Sequence, residues 1–352
     1  MSDMISVEYR IIFVVFKIFS HAEGKSNIVK ELSKTLASLG VSTEIIHLNP
    51  RNLIKLQSII SRHKSSATVI LVVGPSSFLS LAVMAYLSLL RRLYNTRVLV
   101  FMVQPTLLNT SPNLIKRLTQ GILWVIGVDK ILVQSKGVYG ILRSLGLRAG
   151  LLPSGVSTEK FRPCSLEEKL HLREKYGFPA HVKIVLHVGP IKRGRGIEHI
   201  MTLCNRSDIM VLIIGRPYDF DAGLVKKVTE KGCVVYNKFF KNIDEIYKLS
   251  DVYVFPTKSI RNVVDLPLSI LEAMACNLVV VTSQLDGITT YWKNNPELGL
   301  YIAHDPSQIP SLVEKIVKEG KLHVATRDLV KPFDWKNIAR MLLIHIVDAY
   351  AK

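Results

Sequence analysis

Short apolar runs alternate with helix-length stretches along almost the whole chain, and this alternation limits the fold more than any other feature. Arg10–Phe16, Thr43–Leu48, Thr68–Val73, Val98–Val103, Lys130–Gln134 and Gly150–Leu152 read as buried strands. Helices are predicted over Ser26–Leu39, Phe78–Tyr94, Leu114–Ile126 and Lys136–Leu145. Strand and helix in turn favour right-handed crossovers and a mostly parallel sheet covered on both faces. A polar, helix-prone passage at 154–177 interrupts the series, and a second α/β series runs from Val182 to about Ser307. At roughly 150 residues per domain, a chain of 352 residues suggests two domains, each with ample core.

The passage Ser250–Ser283 carries the most specific chemistry. Residues 251–256 form a predicted strand, a polar loop follows from Thr257 to Asp265, and Pro267 suits the first positions of a helix. Leu278–Val281 is the next buried strand. A helix N-terminus offers free N–H groups and a positive dipole end to a phosphate. Leu268 and Ser269 stand where those N–H groups would be, and Glu272 in the early turns could accept from the hydroxyls of a sugar.

This passage resembles the nucleotide-binding signature of glycosyltransferase family 4, a Glu followed after seven residues by the Glu of an LEAMA-type helix. The second Glu matches Glu272; the first falls on Val264, with Asp265 beside it. Other blocks similar to the family follow in its order. They are Ile131–Ser135, then Leu152-Pro153-Ser154-Gly155-Val156 with Phe161 and Pro163, then Leu186–Gly189 with Arg195-Gly196. Val211–Gly215, Ile246–Pro256 and Phe333-Asp334-Trp335 complete the set. The resemblance covers the second half and the tail of the first. It implies an α/β fold of the GT-B kind, two Rossmann-like doubly wound domains facing a central cleft. Residues 1–157 would bind the acceptor and 158–333 the nucleotide sugar, with a last helix at about 334–352 crossing back.

The activity implied is retaining transfer of a hexose-type unit from a nucleotide-diphosphate sugar, with no required metal or other cofactor. In the family the second Glu holds the donor ribose and the first contacts the transferred sugar, which assigns the ribose to Glu272 and the sugar-facing position to Val264 and Asp265. The loop Gly189–Gly196 supplies the pyrophosphate site. Cations placed there stabilise the charge left on a departing nucleoside diphosphate, and Arg can bind two phosphate oxygens at once. Arg195 fills one family position, while Pro190 replaces the Arg of the other. Lys192 or Arg193 substitutes for it, a choice the residues leave open. Gly215 ends the next strand, and Gly24 and Lys25 lie in the first loop, which in the family approaches sugar and pyrophosphate. Where the family commonly has a catalytic His, this chain has Gln104, and His21 is a second candidate.

Three patterns compete with this reading. Gly24-Lys25-Ser26 resembles the end of a P-loop, but Phe19 stands where that motif needs Gly. Asp219-Phe220-Asp221 resembles a metal-binding acid pair and reads better as solvated turn acids, so no metal site is expected. Glycines 189, 194 and 196 lack the dinucleotide-binding spacing. The departures at Val264, Pro190 and Gln104 also admit a binding or regulatory subunit that keeps the fold without turnover.

Charge points to a partner. The net charge is +18, and between Glu44 and Glu159 the one acidic residue is Asp129. A face this basic suits an anionic partner. The span lacks a nucleic-acid motif and stacking aromatics, so nucleic acid is not expected. Leu114–Trp124 mixes Lys116 and Arg117 with apolar residues, which suits the anionic surface of a membrane. The acceptor would then be a lipid-linked glycan or glycolipid, with the protein peripheral on the cytoplasmic face. Val69–Leu90 is uncharged and long enough to span a bilayer, but Gly74-Pro75-Ser76-Ser77 divides it into strand and helix. No secretory signal is visible, and four scattered cysteines indicate neither disulfides nor zinc and suit a reducing interior.

Overall fold

Two parallel six-stranded sheets, each flanked by helices, form the protein. The computed structural model describes residues 10–16, 23–48, 50–63, 67–73, 78–105, 108, 113–257 and 263–351.

In the first half the strands are β1 (Arg10–Phe16), β2 (Ser42–Leu48), β3 (Ala67–Val73), β4 (Arg97–Met102), β5 (Lys130–Val133) and β6 (Ala149–Leu151). Between them run α1 (Glu23–Ser38), α2 (Pro50–His63), α3 (Phe78–Tyr94), α4 (Asn113–Ile126) and α5 (Lys136–Ser144). The strand order is β2-β1-β3-β4-β5-β6, and every pairing is parallel. Ile11 to Val14, Val69 to Leu71 and Val98 to Val100 are fully buried, as continuous Val/Ile/Leu runs must be when helices cover both faces. The stretch Val69–Leu90 is divided as expected: β3 ends at Val73, α3 starts at Phe78, and no helix among the described residues is long and apolar enough to cross a membrane.

The second half opens with α6 (Leu166–Tyr176), which the Ser165 hydroxyl caps by accepting from Glu168 N and Gly177 ends in a left-handed turn. Then come β7 (Lys183–Val188), α7 (Ile197–Ile200), β8 (Ile209–Ile214), α8 (Ala222–Glu230), β9 (Val234–Tyr236) and α9 (Ile243–Leu249). They are followed by β10 (Val252–Phe255), α10 (Leu268–Ala275), β11 (Val279–Ser283), α11 (Asp286–Thr289), β12 (Leu300–Ala303), α12 (Ile309–Lys318) and α13 (Thr326–Val330). The sheet order is β12-β11-β10-β7-β8-β9, again all parallel. The chain closes with α14 (Trp335–Tyr350).

The contacts divide the chain into two compact units. One holds the residues up to Gly155, residues 263–266 and α14; the other holds the described residues 156–257 and 267–334. In the first unit α14 is tied to the sheet by Lys130–Asp348 (3.0 Å), by the Thr68–Tyr350 hydroxyl pair (2.8 Å) and by His345 Nε2 on Leu151 O (3.0 Å).

The two units share one ionic arrangement. Asp129 immediately precedes β5; its N–H donates to Val98 O (3.0 Å) and its carboxylate accepts from Val98 N (2.8 Å) and pairs with Arg91 (2.7 Å). Asp251 immediately precedes β10; its N–H donates to Ile184 O (2.9 Å) and its carboxylate accepts from Ile184 N (2.7 Å) and pairs with Arg173 (2.6 Å) and Lys169 (2.7 Å). Burial opposes the Asp251 charge, but Lys169 and Arg173 outweigh it and hold its pKa below the ordinary carboxylate range. Part of the basic excess of the first half is therefore internal: Arg91 and Arg97 serve Asp129.

One expectation is corrected. Cys204 and Cys233 form a disulfide between the turn after α7 and the start of β9, 29 residues apart in sequence, and both are buried. Cys164 and Cys276 are free. Spacing alone could not pair two cysteines that only the sheet brings together.

Candidate functional site

In the second unit the strand order reverses between β7 and β10. Ligands of doubly wound sheets sit outside the carboxyl ends of the strands at such a switch point. Most of the candidates lie on the loops that leave this rim. Gly189 N donates to Ile214 O (3.0 Å) and Gly215 N to Tyr236 O (2.8 Å), so each glycine extends the ladder by one bond before its loop departs. Gly196 adopts φ +72°, and a Cβ there would run into the Pro256 carbonyl. Its absence lets the 189–196 loop close against the end of β10, where Thr257 Oγ1 donates to Arg195 O (3.2 Å).

The cations of this loop differ in their surroundings. Burial, then neighbouring Arg216, lowers the Arg195 pKa to about 10. Arg195 remains a cation at neutral pH, in a place where its charge is poorly solvated. Lys192 pairs with Asp219, which also lies 3.9 Å from Arg216. Arg193 turns outward, its side chain 88% exposed and paired with Asp221 at 3.4 Å. Of the two substitutes the sequence left open, Lys192 joins Arg195 and Arg193 does not. The reading of Asp219 and Asp221 as solvated turn acids is also corrected. Asp219 is 6% exposed and held in the cation cluster, and Asp221 caps α8 by accepting from Leu224 N (3.0 Å). Among the described residues no group of three His, Cys, Asp or Glu could hold a metal.

Beside this cluster stands the N-terminal end of α10. Pro267 is its N-cap at φ −66°, ψ 129°, so Leu268 and Ser269 provide the first helical N–H groups. One turn on, Glu272 accepts from the Tyr247 hydroxyl at 2.8 Å. Tyr247 is fully buried, and burial together with Glu272 raises its pKa well above the ordinary value, so it stays a proton donor and fixes the carboxylate. Ser269 hydrogen-bonds the buried Tyr253. Under Gly189 lies His187, whose Nδ1 faces Val254 O (3.0 Å) and whose pKa burial lowers to about 4, so the ring is neutral.

The remaining candidates gather in the first unit. Residues 263–266 fold there: Asp265 N donates to Val103 O (2.8 Å) and Leu266 N to Gln134 Oε1 (3.0 Å). A Cβ on Gly24 would lie 3.1 Å from Val264 Cγ2, so the first turn of α1 and Val264 are neighbours. Lys25, in the same turn, has its pKa lowered to about 8 by burial. Gln104 is buried just beyond β4, and Asp265 is 1% exposed. Val264 and Asp265 are thus in a different unit from Glu272. His21 lies outside the described residues. Sequence reasoning missed Arg216, Asp219, Tyr247 and Gln134. Arg216 had a signal, its place directly after the strand-ending Gly215; the others are defined by partners far along the chain.

Residues 183–319 match the family described as Glycosyl transferases group 1. An uncharacterized glycosyltransferase of Methanocaldococcus jannaschii is 27% identical over 192 residues, 50% of this chain and 47% of that protein. The chain thus spans about half the length of the curated relative it matches. The Anabaena HepE protein in complex with UDP superimposes with a TM-score of 0.74 at 11% identity, over 96% of this chain and 100% of that one. Sucrose-phosphate synthase of Thermosynechococcus elongatus gives 0.75 at 17% identity, over 97% and 99%. A glycosyltransferase of Rickettsia africae gives the same TM-score, identity and coverage. The fold is GT-B, and within the second unit residues 183–319 are similar to a glycosyltransferase domain.

Proposed function

We propose that the chain is a retaining glycosyltransferase that moves a sugar from a nucleoside diphosphate sugar to a membrane-associated acceptor without a metal. The observation that carries this reading is the convergence of three things on one sheet rim. A half-buried Arg195 sits with Lys192 and Arg216, the first N–H groups of α10 stand beside them, and Tyr247 fixes the Glu272 carboxylate. Glu272 would accept from the ribose hydroxyls, and the cations with the α10 N-terminus would take the diphosphate. As the bond from the anomeric carbon to the diphosphate oxygen breaks, negative charge grows on that oxygen, where the cations lower its energy. The acceptor hydroxyl attacks from the same face and gives its proton to the departing diphosphate. UDP is the first nucleotide to try, because the similar HepE protein is known in complex with UDP, with UDP and glucose, and with UDP-glucose.

A thermal-shift panel of nucleotides and nucleotide sugars on wild type and Glu272→Ala tests the donor. A ligand at a hundred times its Kd should add about 2.7 kcal/mol to the wild type and much less to the mutant. No shift from any nucleotide would end this reading, and binding without turnover across acceptors would favour a non-catalytic subunit.

The membrane reading rests on the outer helices of the first unit. Leu89 and Leu93 on α3, Leu118 and Val125 on α4 and Ile54 on α2 are exposed, with Arg92 and Arg117 exposed among them. Apolar side chains beside exposed cations suit an anionic leaflet on the cytoplasmic side. Both sulfurs of the disulfide are buried away from solvent thiols, which reconciles it with that compartment. Flotation should recover the protein with anionic but not neutral vesicles; equal recovery would remove the membrane from the proposal.

A further inference from the structure

The Asp219 carboxylate is out of place in a phosphate site. It is buried, pairs with Lys192, lies 3.9 Å from Arg216, and is close enough to Arg195 to act on its charge. Local geometry puts it there. Asp221 N donates to Ile191 O at 2.7 Å and its side chain caps α8, which folds the 216–221 loop back over the loop that carries Lys192. An anion among three cations weakens any anionic ligand, so its presence needs a reason that concerns more than affinity.

The charges of the two ligands supply one. Three cations against one carboxylate leave a net of two positive charges on these four side chains. A nucleoside diphosphate sugar carries about two negative charges, because its second phosphate is a diester. The nucleoside diphosphate released carries about three at neutral pH, since a terminal phosphate loses its second proton near pH 6. Resting on the donor reading above, we infer that Asp219 is a specificity-determining residue. It matches the phosphate site to the charge of the sugar donor and leaves it one positive charge short of the product. The third charge of the product meets the Asp219 carboxylate, which favours release and restrains product inhibition. Arg216 is the complementary element, a cation of the same cluster whose removal lowers its positive charge by one.

Calorimetric titration of wild type, Asp219→Asn and Arg216→Gln with matched pairs tests this: UDP and UDP-glucose, ADP and ADP-glucose, GDP and GDP-mannose. At about pH 8 the preference for the diphosphate over its sugar ester should rise about tenfold in Asp219→Asn and fall about tenfold in Arg216→Gln. Both changes should shrink at about pH 5, where the terminal phosphate regains its proton. If Asp219 only orders the loop, Asp219→Asn will weaken both members of a pair alike and without pH dependence, and the inference fails. If Asp219→Asn does not fold, the opposite shift in Arg216→Gln decides alone. A pair that binds wild type with an unmoved ratio in the variants overturns this inference and leaves the donor reading standing. If no pair binds the wild type, both fall.

Discussion

Asp219 and Asp251 are both buried acids of the second unit held among cations, Lys192, Arg216 and Arg195 around the first and Lys169 and Arg173 around the second, yet they sit at opposite rims of the same sheet. Asp251 stands at the amino end of β10, with a backbone N–H of β7 closing the shell around it. Asp219 stands in a loop at the carboxyl rim, and its Lys192 partner is 43% exposed. The first is saturated by its own fold; the second is paired with side chains that can turn to a ligand. The same ion chemistry therefore fastens strands at one rim and sets binding at the other. Asp129 repeats the fastening role in the first unit, and the Cys204–Cys233 bond joins segments that lead into β8 and β9, on the amino rim as well.

The largest expected effect breaks the amino rim. Asp251→Asn leaves Arg173 and Lys169 without their counter-charge and should cost about 3–5 kcal/mol of stability, read by denaturant unfolding, with nucleotide affinity unchanged. The sign with pH follows from the lowered pKa: stability is held above the ordinary carboxylate range and lost as pH falls through the folded value, and the mutant should lose less. Reduction of the disulfide, or Cys204→Ser with Cys233→Ser, should cost about 3–4 kcal/mol by loop entropy, again without touching the ligand. At the carboxyl rim the outcome inverts. Arg195→Gln should lower turnover by about a hundredfold or more, while thermal unfolding barely moves or improves because a poorly solvated cation is gone. A large loss of stability there would erase the distinction between the rims.

Lys25, on the carboxyl rim of the first unit, gives the smallest effect. Its folded pKa of about 8 lies below the ordinary lysine value of 10.5, so the unfolded chain binds more protons between them and stability rises with pH across that window. Lys25→Met should be slightly more stable than wild type at neutral pH, and the gap should close toward the upper end of that window.

The two-sheet architecture was legible because buried parallel strands are apolar runs and the runs are local. The candidate site was legible where chain neighbours make it: Gly189 and Arg195 on one loop, and Leu268, Ser269 and Glu272 in the first turns of α10, stand in one unit at one rim. What escaped depends on distant partners. Asp219 looks like a turn acid until the α8 cap folds it over Lys192. Val264 looks eight residues from Glu272 in a single motif, but the bonds of Asp265 N to Val103 O and of Leu266 N to the Gln134 side chain draw its segment to the first sheet. Nothing in a nine-residue window encodes that change of unit.

The excursion of residues 263–266 has a consequence for anyone who would take the molecule apart. The chain passes from one unit to the other after Gly155, returns between 257 and 263, leaves again after Leu266 and returns once more after Asp334. No single cut yields two intact halves. A fragment ending near Gly155 lacks both α14 and the 263–266 segment. A fragment starting there keeps 263–266 without the backbone partner of Asp265 or the side-chain partner of Leu266. Separate expression of the units would have to be designed as a graft, with a short loop bridging 257 to 267 and α14 rejoined to the first sheet.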